Sequence, residues 1–289
     1  MEDRDFGWTG VKVSTVGMGT YFDPAFIITA LLFRHQGGRA QKVAALQAGL
    51  DHGITLIDTA EIYQTEDIVA DAIAGRRREN LFIMTKVFRH HMRHHHVLKA
   101  AENSLKRLRC TYIDLYQIHF PNPRVPIDET MKAMKQLVAD GKVRFVGVSN
   151  FSLPQMQQAE AALAPIPLAA NQVEYNLTAR GIEGDLLPYC EAKQIAVLPY
   201  RPLAHGALAA PSARLKAVMD GIAQKHGDKT PAQIALNWLL TKSPVIFPIP
   251  RASKPDRVLE NLGAVGWSLD AYDMIALENA VNTPRYLPT

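Results

Sequence analysis

Cysteine is nearly absent. Cys110 and Cys190 are the two in the chain, and no paired spacing links them to each other. That argues against a disulfide framework and against a cysteine-built zinc site. Long apolar runs are missing too. Phe26 to Phe33 is the most apolar stretch outside the strands, and it is far short of the ~20 residues a bilayer span needs. The formal net charge of +4 comes without a block of Lys or Arg, which disfavours nucleic acid and leaves small anionic ligands as the better match. The start, Met1-Glu2-Asp3-Arg4-Asp5, is acidic and polar, unlike a secretory signal, so the expectation is a soluble cytoplasmic protein. No Gly-x-Gly-x-x-Gly follows any strand, which removes the usual mark of a doubly wound dinucleotide fold.

What is present suits a large core: 289 residues, 47% of them hydrophobic. The chain opens with a hairpin pattern, Asp5-Phe6-Gly7-Trp8, a Thr9-Gly10 turn, then Val11-Lys12-Val13. Val16-Gly17-Met18-Gly19-Thr20 follows as a short strand whose glycines suit close backbone approach. The apolar segment Phe26–Phe33 reads either as a helix on the core or as a flap beside a pocket. Thereafter strands and helices alternate. Strands are expected to start at Ile54, Leu81, Ile113, Val143, Leu168, Ile195 and Val245, mostly at the roughly 25–32-residue gaps of a βαβ unit. The longer last gap holds one extra helix. Leu98, Ala101, Leu105 and Leu108 share one helical face. Ser152 to Gln155 and Thr230 to Gln233 are capping boxes with proline in the first turn. Counting the strand near Val16, eight parallel units in a chain of this length suit a (β/α)8 barrel with a short N-terminal hairpin, residues 1–289 forming one domain.

Chemistry-bearing residues fall where these strands are expected to end: Asp58, Lys86, His119, Ser149, Asn150, Gln172, Tyr200 and Arg251. In a parallel barrel all those ends open on one face, the one that carries active sites. Around them, Gly53-Ile54-Thr55-Leu56-Ile57-Asp58-Thr59-Ala60-x-x-Tyr63, Ser104 to Leu108 with Tyr112 to Pro121, Gly141 to Phe151, Asn171 to Tyr175, and Ile249-Pro250-Arg251 through Asn261 together resemble the motifs of the aldo-keto reductases. The resemblance runs from about Phe6 to about Asp270.

That resemblance implies carbonyl reduction by hydride from a nicotinamide dinucleotide, with Asp58, Tyr63, Lys86 and His119 as catalytic residues. A carbonyl that accepts hydride becomes an alkoxide and needs a proton. Tyr63 is the expected donor. Lys86 is expected to lower its pKa, Asp58 to hold Lys86 charged, and His119 to orient the carbonyl.

The cofactor contacts implied are Gly19 and Thr20 at the first strand, Ser149, Asn150 and Gln172 on the carboxamide, and Tyr200 stacked on the ring. Arg201 and Leu203 follow near the pyrophosphate. Arg251, Ser253, Lys254 and Arg257 surround a helix start with Ser253 at its cap, and Glu260 and Asn261 match adenine contacts. An anion at such a start is the 2′-phosphate of NADPH, so NADPH is expected over NADH. Tyr21, Phe22, Phe88 and Phe120 are expected at the substrate pocket. The run Arg89 to His96 is histidine-rich but contiguous, without the spaced ligands of a metal site, and reads as a polar loop and helix start; no metal is expected. The rival reading is a nucleotide-binding regulatory subunit, like the channel β subunits of the same fold, with slow turnover and a stable partner. The expectation here is a small carbonyl substrate, no nucleic acid, no membrane and no obligate protein partner.

Overall fold

The computed structural model describes residues 1–33 and 35–282. Strands β1 (Asp3–Asp5) and β2 (Lys12–Ser14) form an antiparallel hairpin. A seven-stranded parallel sheet follows in sequence order: β3 (Met18–Gly19), β4 (Leu56–Asp58), β5 (Phe82–Val87), β6 (Ile113–Ile118), β7 (Val143–Ser149), β8 (Ala170–Glu174) and β9 (Ala196–Tyr200). The expected eighth strand is not regular. Residues 245–251 instead close the barrel through bridges Val197 to Ile246 on one side and Gly19 to Arg251 on the other. Pro248 and Pro250 lack the N–H a full ladder requires, so the segment donates only from Phe247 (to the Val197 carbonyl, 2.9 Å) and Ile249 (to that of Pro199, 3.2 Å) on the β9 side, and on the β3 side it accepts: Gly17 N–H to the Pro248 carbonyl (2.9 Å), Gly19 N–H to that of Pro250 (3.1 Å). The result is a (β/α)8 barrel.

Helices α1 (Pro24–Phe33), α2 (Arg39–Asp51), α3 (Glu66–Ala72), α4 (His94–Leu108), α5 (Ile127–Ala139), α6 (Leu153–Leu163), α7 (Leu186–Lys193), α8 (Ala213–Lys225), α9 (Pro231–Lys242), α10 (Pro255–Leu262) and α11 (Ala271–Asn282) surround it. The extra helix expected before the closing segment is present, since both α8 and α9 lie there. Both capping boxes form: Ser152 N–H donates to Gln155 Oε1 (2.9 Å) and Thr230 N–H to Gln233 Oε1 (3.0 Å). The apolar segment is a helix, α1, that buries Phe26 and Ala30 and leaves Ile28, Leu31, Leu32 and Phe33 exposed.

The hairpin closes the barrel floor. Phe6 is fully buried with its ring 4.6 Å from that of Phe82 and 5.1 Å from that of Phe247. Gly7 has to be glycine, because its φ is +54° and a Cβ would sit 2.2 Å from the Gln194 carbonyl. Above this floor the inward faces of the strands change character. Period-two alternation puts Leu56, Phe82, Met84 and Ala170 inside the lower barrel and Asp58, Lys86 and Gln172 on the same faces one step higher. Lys86 and Gln172 therefore lie within β5 and β8, not just beyond them as expected; β8 starts later than the Leu168–Ala170 assignment and contains Gln172. No helix among the described residues is long and apolar enough to cross a membrane.

Candidate active site

Lys86 is fully buried and donates its three N–H groups to Asp58 Oδ1 (2.7 Å), Asp58 Oδ2 (2.8 Å) and the Thr59 carbonyl (2.9 Å). Gln172 Nε2 donates a further bond to Asp58 Oδ1 (2.9 Å). Burial pushes the Asp58 carboxyl up and the Lys86 ammonium down, and each opposes the other's shift by direct charge pairing. Two buried charges survive together only when saturated in this way.

Tyr63 is carried by a single 3-10 turn, Glu61–Tyr63, just past β4. Its hydroxyl lies 3.4 Å from His119 Nε2, and the Lys86 ammonium sits 4.9 Å from its ring centroid. This geometry corrects one expectation. Lys86 has no N–H left for the phenol, since all three are bound elsewhere. Burial first, then the Asp58 charge, hold the Tyr63 pKa well above the usual phenol value. The group is a neutral O–H, ready to donate.

His119 follows β6 and is almost completely buried. Burial, then the Lys86 charge, push its pKa down to about 3, so the ring is neutral near pH 7. Nδ1 has no hydrogen-bond partner among the described residues. A bare lone pair is cheaper to bury than an orphaned N–H, so the ring proton is assigned to Nε2, the nitrogen facing Tyr63. An O–H and an N–H thus sit side by side and can converge on one substrate oxygen.

The rim beyond this pair is laced together. Asn150, at φ +63°, donates from Nδ2 to the His119 carbonyl (3.0 Å) and to Ser149 Oγ (3.0 Å), and accepts from the Tyr200 hydroxyl (2.9 Å). Ser149 Oγ donates to the Gln172 carbonyl (2.9 Å). These bonds fix the Tyr200 ring at the mouth and leave Gln172 Oε1 without a partner among the described residues.

Several expected site residues stand differently. Gly19 does make a close approach, but to the barrel's own closing segment: a Cβ there would lie 2.9 Å from the Ile249 carbonyl. Thr20 is buried and its hydroxyl donates to the Asp58 carbonyl (2.9 Å), so its side chain shores up the site from behind. Phe22 is buried edge-on to Phe26 (5.7 Å) under Lys42 and does not face the pocket. Tyr21, 40% exposed, stands 5.2 Å from the Tyr63 ring, and Phe120, 38% exposed, stacks on His119 at 4.7 Å. Phe88 is half-buried against His90. The α10 cap is Lys254, not Ser253, because Pro255 takes the first helical position and forces the residue before it to be extended (φ −130°, ψ 141°). Arg251 and Lys254 are exposed at that helix start and make no side-chain bond among the described residues, whereas Arg257 is bound to Glu260 at 2.5 Å and Asn261 is buried. Arg201 has φ +51° and a 3.5 Å contact with Glu174; Leu203 is half-buried behind it. Among the described residues no group of three His, Cys, Asp or Glu side chains is arranged to hold a metal. The tail from Thr283 onward lies outside the described residues. One contributor was not singled out from sequence at all: Glu61, inside the first motif, whose side chain reaches a neighbouring loop.

A parallel barrel with a phenol, an imidazole and a buried ion pair at its C-terminal mouth is a class of oxidoreductase scaffold, and comparison with known proteins narrows the class. The Aldo/keto reductase family model matches residues 30–282. The methylglyoxal reductase YeaE of Escherichia coli strain K12 is 34% identical over 289 residues, covering 99% of this chain and 97% of that protein. The aldo-keto reductase YhdN of Bacillus subtilis strain 168 is 34% identical, covering 98% of this chain and 96% of its own length. Among solved structures, an aldo/keto reductase from Klebsiella pneumoniae in complex with NADP and acetate superposes with a TM-score of 0.83 at 34% identity, covering 99% of this chain and 97% of that one. The chain belongs to the aldo/keto reductase family.

Proposed function

We propose that this protein reduces aldehydes and ketones to alcohols with NADPH, Tyr63 delivering the proton. The observation that carries the reading is the convergence of a neutral Tyr63 hydroxyl and His119 Nε2, 3.4 Å apart, above a saturated Lys86–Asp58 pair. NADPH, when bound, supplies hydride from its nicotinamide C4. His119 and Tyr63 hold the carbonyl oxygen between two donors, which lowers the cost of the negative charge that develops there. Tyr63 then gives up its proton to the developing alkoxide. Lys86 needs no movement for this, because Asp58 and Thr59 already hold it in place.

The residues present suit the cofactor. Gln172 Oε1 is free to accept from a carboxamide, the Tyr200 ring is locked at the mouth, and Arg251 and Lys254 offer unpaired cations at the start of α10 for a 2′-phosphate. Ser149 and Asn150 frame the carboxamide end. The relatives' names, methylglyoxal reductase and glyoxal reductase among them, favour the enzyme over a regulatory subunit and point to small uncharged carbonyl compounds as substrates. Residues 1–289 act as one barrel domain, in the cytoplasm, with no obligate protein partner.

The test follows NADPH oxidation across a panel of aldehydes, ketones and α-oxoaldehydes. Tyr63→Phe should abolish turnover while NADPH still binds; retained turnover sinks the assignment. A clear preference for NADH in the ratio of kcat/KM values would overturn the cofactor reading.

A further inference from the structure

The turn that carries Tyr63 is too short to hold itself. A single 3-10 turn has one internal backbone bond, here Tyr63 N–H to the Ala60 carbonyl (3.0 Å), and such turns have little stability alone. Its far end is anchored, because the Thr65 hydroxyl lies 2.9 Å from that of Thr59 and 2.8 Å from that of Thr20. Its near end depends on Glu61. The Glu61 carboxylate leaves the turn altogether: Oε2 accepts the Phe88 N–H (2.9 Å) and Oε1 pairs with His91 Nδ1 (2.7 Å). Phe88 and His91 bound a second 3-10 turn, Arg89–His91, just past β5. That turn is in its own right tied to the loop after His119, since Asn122 Nδ2 donates to the Arg89 carbonyl (2.8 Å). Side chains thus link the loops after β4, β5 and β6 into a belt on the substrate side of the mouth, and Glu61 is its central knot.

We propose that Glu61 is a positioning residue that sets the Tyr63 hydroxyl against His119 by lashing its turn to the Phe88–His91 turn. It touches no reacting atom and acts through the placement of the phenol. The inference rests on Tyr63 being the proton donor. Its signature is a loss in the chemical step without a loss in cofactor binding, because Asn150, Gln172, Tyr200 and the α10 start lie outside the belt. Displacements of an ångström at a reacting group are enough to slow a reaction on the order of a hundredfold.

The experiment measures kcat, KM for the carbonyl and NADPH affinity for the full chain and for Glu61→Ala, Glu61→Gln, His91→Ala, the Glu61→Ala/His91→Ala double variant and Tyr63→Phe. Glu61→Ala should lower kcat roughly ten- to hundredfold with NADPH affinity unchanged. Glu61→Gln should recover most of that loss, since an amide oxygen still accepts the Phe88 N–H. His91→Ala, a change at a half-exposed residue that spares the core, should show a smaller fall in kcat, and the double variant should be no slower than Glu61→Ala, because both changes remove one shared contact. Full kcat in Glu61→Ala, a Gln variant as slow as Ala, or an equal weakening of NADPH binding would overturn the proposal. Should Glu61→Ala not fold, the Gln and His91 variants decide alone. The two readings separate cleanly: if the unaltered chain turns over and Tyr63→Phe does not, an unaffected Glu61→Ala defeats only the positioning role. A chain that binds NADPH and reduces no carbonyl defeats both.

Discussion

The two halves of the site are built to opposite rules. In the Asp58–Lys86 half every N–H of the ammonium is bound within 2.7–2.9 Å and both carboxylate oxygens are engaged. In the Tyr63–His119 half the two groups approach only to 3.4 Å, and His119 Nδ1 is left bare. Both halves are buried, so exposure does not explain the difference. A buried charge has to be saturated or it is lost by proton transfer. Two neutral donors can be left short of partners when a substrate oxygen is to complete them. The closed half is the fixed electrostatic background, and the open half is where bonds are made.

Breaking the closed half should have the largest effect on the fold. Lys86→Met leaves the buried Asp58 carboxylate with the Gln172 amide as its one side-chain donor among the described residues, and one-sided removal of a buried pair costs about 3–5 kcal/mol. A drop of that size in the urea unfolding free energy is expected, together with loss of carbonyl reduction. Adding Asp58→Asn removes the stranded charge and should return most of the stability without returning the activity. Equal stability of the single and double variants would mean that the pair is not the closed unit described above. Tyr63→Phe, by contrast, should erase turnover at little cost to stability, because the phenol oxygen has only the long contact to His119 to lose.

The next prediction uses pH to separate the halves. The His119 pKa is about 3 in the folded chain against about 6.5 unfolded. Between those values the unfolded chain binds the extra proton, so folding loses stability as pH falls through that window, and the loss from this one group reaches roughly 2 kcal/mol by pH 5. His119→Asn removes the titration. The difference in urea midpoint between the two proteins should therefore shift in favour of the variant from pH 7 to pH 5, the other acid-sensitive groups cancelling. A pH-independent difference would show that the imidazole is not held neutral by burial.

Much of this contrast could be read in the sequence, but unevenly. That Asp58, Tyr63, Lys86 and His119 would come together was legible because the motif spacing marked all four, and β6 falls on the residues expected, Ile113–Ile118. Strand ends were less legible. Lys86 and Gln172 lie inside β5 and β8 because alternation, not strand termination, changes the inward face from apolar to polar. The cap of α10 was misplaced by one residue because the conformational demand of Pro255 outweighs the capping preference of Ser253. Whether Thr20 and Phe22 face a ligand or the core depends on where Asp58, Thr65, Phe26 and Lys42 come in space, and no local pattern records that. The same holds for Glu61, whose partners Phe88 and His91 lie on the next βα unit. The direction of the Tyr63 pKa could not be read either, since it turns on how deeply the phenol is buried and on the Asp58 charge beside it.

The smallest expected effect tests whether the open half is supported from behind. Tyr200 donates its hydroxyl to Asn150, and Asn150 in turn donates to the carbonyl of His119. Tyr200→Phe keeps the ring at the mouth and removes only the hydroxyl, leaving Asn150 Oδ1 short of one donor. A neutral hydrogen bond of this kind is worth about 0.5–1.5 kcal/mol. Were the bond merely local, the variant would lose that much stability and nothing in kcat. If it steadies His119 through Asn150, kcat should also fall several-fold while NADPH, proposed above to meet the retained ring, binds about as before. The split is informative because the lost hydroxyl makes its one hydrogen bond to Asn150, so a fall in kcat with NADPH affinity kept points to the bond from Asn150 to the His119 backbone.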